Sequence, residues 1–203
     1  MNIVFDYDYW KSRIAGRRTP VPIIPYLPAH LQLPTRVLPI QSAWRGLECI
    51  LADIIEKFQL DTHRCLEFGV EFGYSTAALS SFFDSVIGVD TFAGDKHTRL
   101  QKDIYDETVS RLSGFENIRL VRSDYRDWIK SDDSFYDFIH VDIIHTYTDT
   151  FACGLWSARH AKCVIFHDTE SFTAVKKAVV EICRQTGKTF YNFPDSNGLG
   201  IIV

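Results

Sequence analysis

The chain has 203 residues, 46% of them hydrophobic and 24% charged, the composition of one soluble globular domain with room for a substantial core. A formal net charge of −4 leaves no basic footprint, which argues against nucleic acid as a partner. No apolar run approaches the roughly 18 residues of a membrane span, and the first residues, with Asp6, Asp8 and Trp10, lack the order of a signal peptide.

Residues 1–18 are mixed, and Tyr7, Tyr9 and Trp10 are expected to dock against the rest. Six of the seven prolines fall between Thr19 and Ile40, a density that forbids a helix and favours an extended arm. Its apolar residues, among them Val21, Ile23, Ile24, Tyr26, Leu27 and Leu31, argue against a solvated linker. The arm can wrap its own domain, cover a ligand or reach a second copy, so a homo-oligomer through it stays open. Residues 1–41 are therefore read as an arm and 42–203 as the domain.

Ser42 is placed to cap a helix over 43–58, with Trp44, Leu47, Ile50, Leu51, Ile54 and Ile55 at helical intervals. An apolar run ending in Glu67 predicts a strand, followed by a glycine-bearing turn and a helix through 76–83. Strands follow at 86–89, ending in Asp90, and at 118–121, ending in Ser123 and Asp124, with a helix near 100–112 between them. A strand over 135–141 ends in Asp142. A helix over 149–159, a strand over 163–166 and a helix over 172–186 come next. Two strands, 188–193 and 199–203, flank the turn-rich 194–198. Such alternation implies a mostly parallel α/β sheet covered on both faces. The five cysteines are scattered and form no C-x-x-C pair, so a zinc or redox motif is not expected and a reducing cytoplasm is the simplest location.

The stretch Cys65-Leu66-Glu67-Phe68-Gly69-Val70-Glu71-Phe72-Gly73-Tyr74-Ser75-Thr76 has the strand, turn and helix-start layout that holds nucleotide-like ligands. Its glycines are spaced E-x-G-x-x-x-G rather than G-x-G-x-x-G. Glu67 and Glu71 would repel a pyrophosphate and suit a ligand with cationic groups, which S-adenosylmethionine carries as a sulfonium and an ammonium. L-E-F-G-V-E-F-G-Y-S resembles class I S-adenosylmethionine-dependent methyltransferases, in particular the catechol-O-methyltransferase-like branch. The resemblance covers about residues 43–203. It implies a Rossmann-like doubly wound sheet of seven strands whose last strand runs antiparallel, and a cofactor set of Glu67, Gly69, Gly73, Tyr74, Ser75, Asp90, Ser123 and Asp124. Within that set Asp90 is suited to the ribose hydroxyls and Ser123 or Asp124 to the adenine amino group, while Tyr125 or Phe92 can stack on the base.

Asp142-Ile143-Ile144-His145-Thr146-Tyr147 is similar to the D-x-x-H-x-Y signature of macrocin-O-methyltransferase-like enzymes, and His167-Asp168-Thr169 to their H-D-T. Asp142 and Asp168 end adjacent strands, and two converging carboxylates call for a proton or a cation between them. A divalent cation follows, magnesium by default, with His167 as a further ligand that would shift the preference toward manganese. His145 is the candidate general base, acting with Asp142 on a small hydroxylated acceptor such as a sugar or glycosylated metabolite. His140 is expected to alternate into the sheet layers, and Asp95 and His97 to border the acceptor or lie in solvent. Three departures from the family pattern bear on activity: Cys153 stands where an acid is usual, Ile144 where a small or polar residue is, and His160-Ala161-Lys162 where a glycine pair is. They leave open a catalytically degenerate binding or scaffold domain. A nicotinamide-dependent oxidoreductase is disfavoured by Glu67.

Overall fold

The computed structural model describes residues 20–94 and 102–203. Tyr7, Tyr9 and Trp10, and the loop with Asp95 and His97, lie outside them. One sheet organises the chain: β1 (Ile23–Pro25), β2 (Arg64–Phe68), β3 (Ser85–Asp90), β4 (Ile118–Arg122), β5 (Tyr136–Val141), β6 (Ala161–His167), β7 (Phe190–Phe193) and β8 (Leu199–Ile202). Among the described residues the strand order is β1-β7-β8-β6-β5-β2-β3-β4, and only β8 runs against its neighbours. β2, where the chain's strand order reverses, sits between β3 and β5, so the cleft above its carboxyl end is the ligand position of an open α/β sheet.

The expected sheet has seven strands; this one has an eighth. β1 comes from the proline-rich arm and pairs parallel to β7, Ile23 against Phe190 and Pro25 against Asn192. Pro25 lacks an N–H, which an edge strand tolerates because one side of it needs no partner. Tyr26 then donates its N–H to Asn192 and buries its ring, and Leu38 also joins the core.

The helices are α1 (Leu51–Lys57), α2 (Tyr74–Leu79), α3 (Tyr105–Leu112), α4 (Tyr125–Ser131), α5 (Tyr147–His160) and α6 (Thr173–Thr186). The helix expected over 43–58 loses its first turn. Gly46 adopts φ 99°, outside helical range, so Ser42 closes a turn onto the Trp44 N–H and a short 3-10 turn over Leu47–Ile50 precedes α1. α4 is an addition to the expected elements. Asp124 caps it by accepting the Arg126 N–H, and Tyr125, Trp128 and Ile129 pack inward at helical spacing.

Side-chain alternation along the strands divides the core. Cys65, Phe138, Cys163 and Ile165 face a layer made by Tyr26, Leu38, Trp44, α1 and α2. Leu66, Phe68, Ile139, Val141, Val164 and Phe166 face α5 and α6. No helix among the described residues is long and apolar enough to cross a membrane.

Candidate active site

A cleft of about 400 Å³ opens at the carboxyl ends of the central strands. Its floor includes Gly69, Asp90, Ser123, Asp124, Asp142 and Asp168, one or more from each of β2, β3, β4, β5 and β6 or the turn just after it. Tyr74, Ser75, Tyr125, His145 and His167 also line it. Glu67 and Gly73 do not.

Glu67 is fully buried below the cleft. Its carboxylate accepts the Ser75 hydroxyl at 2.5 Å, the Thr76 hydroxyl, and His140 Nδ1 at 2.8 Å. Glu67, expected in the cofactor set, stands beneath the cleft rather than in its lining, with its acceptor positions turned to the first turn of α2 and to β5. Gly73 serves as the N-cap of α2 at φ 84°, and a β-carbon there would press on Leu112 at 2.7 Å. Tyr74 lines the cleft while its hydroxyl donates to Glu48 at 3.0 Å; burial and that carboxylate push the phenol up to about 12. Ser75 is spent on Glu67.

Asp90 ends β3 as expected, and its carboxylate organises the glycine turn. Oδ2 accepts the N–H groups of Val70 and Glu71 at 2.8 and 2.9 Å, and Oδ1 that of Phe92 at 2.8 Å. Phe92 itself is buried against Tyr105 and Ile104 and is absent from the cleft lining, so of the two aromatic candidates only Tyr125 reaches it. Asp124 pairs with the Arg126 guanidinium at 3.0 Å besides capping α4. Arg126 also lines the cleft and bridges to Asp149, which holds the Tyr125 hydroxyl at 2.7 Å. Short-range sequence reading missed Arg126; the D-Y-R-D-W-I-K spacing of a capped helix was the available signal.

At the other end of the cleft four side chains converge. His145 Nε2 stands 2.8 Å from Asp168 Oδ2 and 3.5 Å from Asp142 Oδ1. His167 Nδ1 stands 3.1 Å from Asp142 Oδ2 and 3.4 Å from Asp168 Oδ2. Asp168 takes φ 65°, a left-handed conformation that bends its carboxylate back from the strand end toward Asp142. Thr169, the third residue of H-D-T, is buried with its hydroxyl on Asn192 of β7, which fixes this bend. The His145 ring stacks on Phe172 at 4.1 Å.

Burial alone would lower both imidazoles, but the facing carboxylates outweigh it, raising His145 to about 9 and His167 to about 10. Burial would raise Asp142 and Asp168, and the two imidazoles hold them below the usual carboxylate range instead.

These residues fit a divalent cation. Octahedral ligands at about 2.1 Å from an ion stand about 3 Å apart along each edge, the separations seen across this cluster. Asp142, His145 and Asp168 each present a ligand atom within 4.8 Å of the others. His167 Nδ1 faces both carboxylates and places a further nitrogen beside them. Cys153 faces away from this cluster, buried in the α5 side of the core and bonded through its carbonyl to Ser157. The loss of an acid there removes no cleft group.

Residues 66–169 match the model of a methyltransferase domain family. No curated protein matches the sequence. Among solved structures, an O-methyltransferase from Bacillus cereus in complex with S-adenosylhomocysteine is 16% identical, with 82% of this chain and 84% of that one covered at a TM-score of 0.55. The O-methyltransferase TomG of Streptomyces achromogenes, in complex with S-adenosylmethionine, is 15% identical, covering 82% and 81% at 0.56. Fibrillarin from Aeropyrum pernix with bound S-adenosyl-L-methionine is 14% identical, covering 79% and 76% at 0.54. At such identities the likeness shows a common fold. The family match spans the glycine turn, Asp90, Asp142, His145 and Asp168, just over half of the chain, and the chain belongs to this methyltransferase domain family.

Proposed function

We propose that this protein transfers a methyl group from S-adenosylmethionine to the oxygen of a small hydroxylated molecule, a sugar or glycosylated metabolite being the class suggested by the D-x-x-H-x-Y and H-D-T motifs, with the help of a divalent cation. The observation that carries the reading is the pairing of two ends in one cleft. Asp90, Ser123, Asp124 and Tyr125 offer carboxylates, a hydroxyl and a ring for a nucleoside at one end, and Asp142, Asp168, His145 and His167 converge at the other. The acidic floor suits a cationic methyl donor.

Asp142, Asp168 and His167 would hold the cation, magnesium or manganese, with His145 beside them. When bound, it would supply a Lewis acid that lowers the pKa of the acceptor hydroxyl. His145 takes the hydroxyl proton as general base. It can do so only when the charges of Asp142 and Asp168 are neutralised by something other than its own proton, because facing them alone it is already protonated at pH 7. The acceptor oxygen then forms its bond to the methyl carbon as the carbon–sulfur bond breaks, and the electron pair stays on sulfur. Holding both reactants in line can supply on the order of 7–11 kcal/mol of the barrier. We read residues 42–203 as the domain that performs this, with the arm as its extension.

Calorimetric titration with S-adenosylmethionine, S-adenosylhomocysteine and NAD tests the donor end; binding of NAD alone would overturn the reading. Turnover of a panel of hydroxylated acceptors tests the other. Chelation and His145→Ala are each expected to lower it about 100-fold, the size of one general-base contribution. Donor binding without turnover of any acceptor would favour the degenerate scaffold.

A further inference from the structure

One wall of the cleft does not come from the sheet. Ile40 and Gln41 at the end of the arm, and Ser42, Ala43 and Trp44 just after it, line this wall. This segment lies outside regular helix and strand, so its place depends on what its few polar groups and its one large ring touch.

Two buried carboxylates stand behind those contacts. Trp44 is 2% exposed, and its indole N–H donates to His140 Nε2 at 3.1 Å. An indole can only donate, so Nε2 is the bare nitrogen, and the ring proton sits on Nδ1, donating to Glu67. The strand register makes the chain of contacts possible: Glu67 of β2 is paired with His140 of β5, so both project from the same face toward the layer that holds Trp44. Glu67 also grips Ser75 and Thr76 at the start of α2. From that same turn Tyr74 donates to Glu48, whose second oxygen accepts the Gly46 N–H at 2.6 Å. Apolar residues would fill this volume without the cost of burying a carboxylate, so the network points to a requirement for position rather than packing.

We propose that Glu67, His140 and Trp44 are positioning residues, a relay that ties the arm wall to the first turn of α2 and so sets the shape of the cleft that receives the methyl donor. The identity of that ligand rests on the proposed function; the relay itself does not.

Full-length wild type, Trp44→Phe, His140→Leu and His140→Gln are compared by two measurements. Hydrogen exchange at the amides of residues 44–46 reads the wall with no ligand present, and calorimetry with S-adenosylhomocysteine reads the cleft. Phe keeps an aromatic ring and deletes the donor. Gln can still donate to Glu67 and accept from Trp44, whereas Leu can do neither. Exchange is expected to speed up about tenfold in Trp44→Phe and His140→Leu and to stay near wild type in His140→Gln, the size of one lost buried hydrogen bond. Affinity is expected to fall about 5- to 10-fold in the same two variants. Wild-type exchange in Trp44→Phe overturns the relay, as does a loss in His140→Gln equal to that in His140→Leu. If His140→Leu does not fold, the contrast between Trp44→Phe and His140→Gln decides. A wild type that ignores S-adenosylhomocysteine would overturn the donor assignment, and the exchange measurement would still decide the relay.

Discussion

Gly69 and Asp142 meet backbone to backbone: a β-carbon on Gly69 would stand 1.7 Å from the Asp142 carbonyl oxygen. Asp142 in turn donates its N–H to Phe68 at 2.8 Å, and Gly69 donates to Val89 at 3.0 Å. The glycine turn and the aspartate of the His145–Asp168 cluster are therefore one mechanical unit. Gly69→Ala must both leave φ 89° and push Asp142 away. It is expected to cost about 3 kcal/mol or more in urea unfolding, with cation binding lost alongside donor binding. Loss of donor binding alone would show that the two ends are independent.

Asp90 accepts three backbone N–H groups from the turns beside the cleft. Asp90→Ala leaves them without that acceptor and removes the carboxylate proposed for the ribose. S-adenosylmethionine affinity should fall at least about tenfold by calorimetry, since a charge-assisted hydrogen bond contributes about 1.5–3 kcal/mol. Unchanged affinity removes Asp90 from the donor site.

The imidazoles would give the proposed cation a pH dependence with a definite sign. His145 is raised to about 9 and His167 to about 10, so without a cation both carry protons at pH 7. Their pairing with Asp142 and Asp168 stabilises the cation-free protein fully below about pH 6.5 and is lost as pH rises through about 9 to 10. A cation must expel protons to bind. Its apparent affinity should therefore climb from pH 6 to 9, with proton release visible as a buffer-dependent heat in manganese calorimetry. A flat affinity across that range would count against His167 as a ligand.

Asp53 anchors the arm at the opposite side of α1. It is 3% exposed and accepts the Tyr26 hydroxyl and the N–H groups of Ala29 and His30. Burial would raise its pKa, and these donors hold it below the ordinary value instead. The stabilisation is thus complete above about pH 4 and lost as pH falls through the lowered folded-state value. Asp53→Asn should cost about 1–3 kcal/mol at pH 7 and much less near pH 3, read as the difference between wild-type and variant urea curves. An equal difference at both pH values would assign the loss to packing.

What was legible in the sequence was local. Glycines at 69 and 73, and acids following apolar runs at Asp90, Asp142 and Asp168, mark strand ends. Strand ends in a parallel sheet share one side, so the cleft floor followed from chain order alone. The 203 residues therefore determined the mostly parallel sheet covered on both faces and the acids gathered above it, while its antiparallel last strand was implied by the family resemblance. The fate of Trp44, Glu67 and His140 was not legible, because it depends on partners 73 and 96 residues apart. Helical spacing put Trp44 inside a helix that Gly46 prevents, and Glu67 counted as a ligand because a motif names a residue without saying which way its side chain turns. Only the tertiary structure decided that, since β2–β5 register and the packing of the arm on one face of the sheet choose between cleft and core. The same packing turned a proline-rich arm into an eighth strand and a wall of the site.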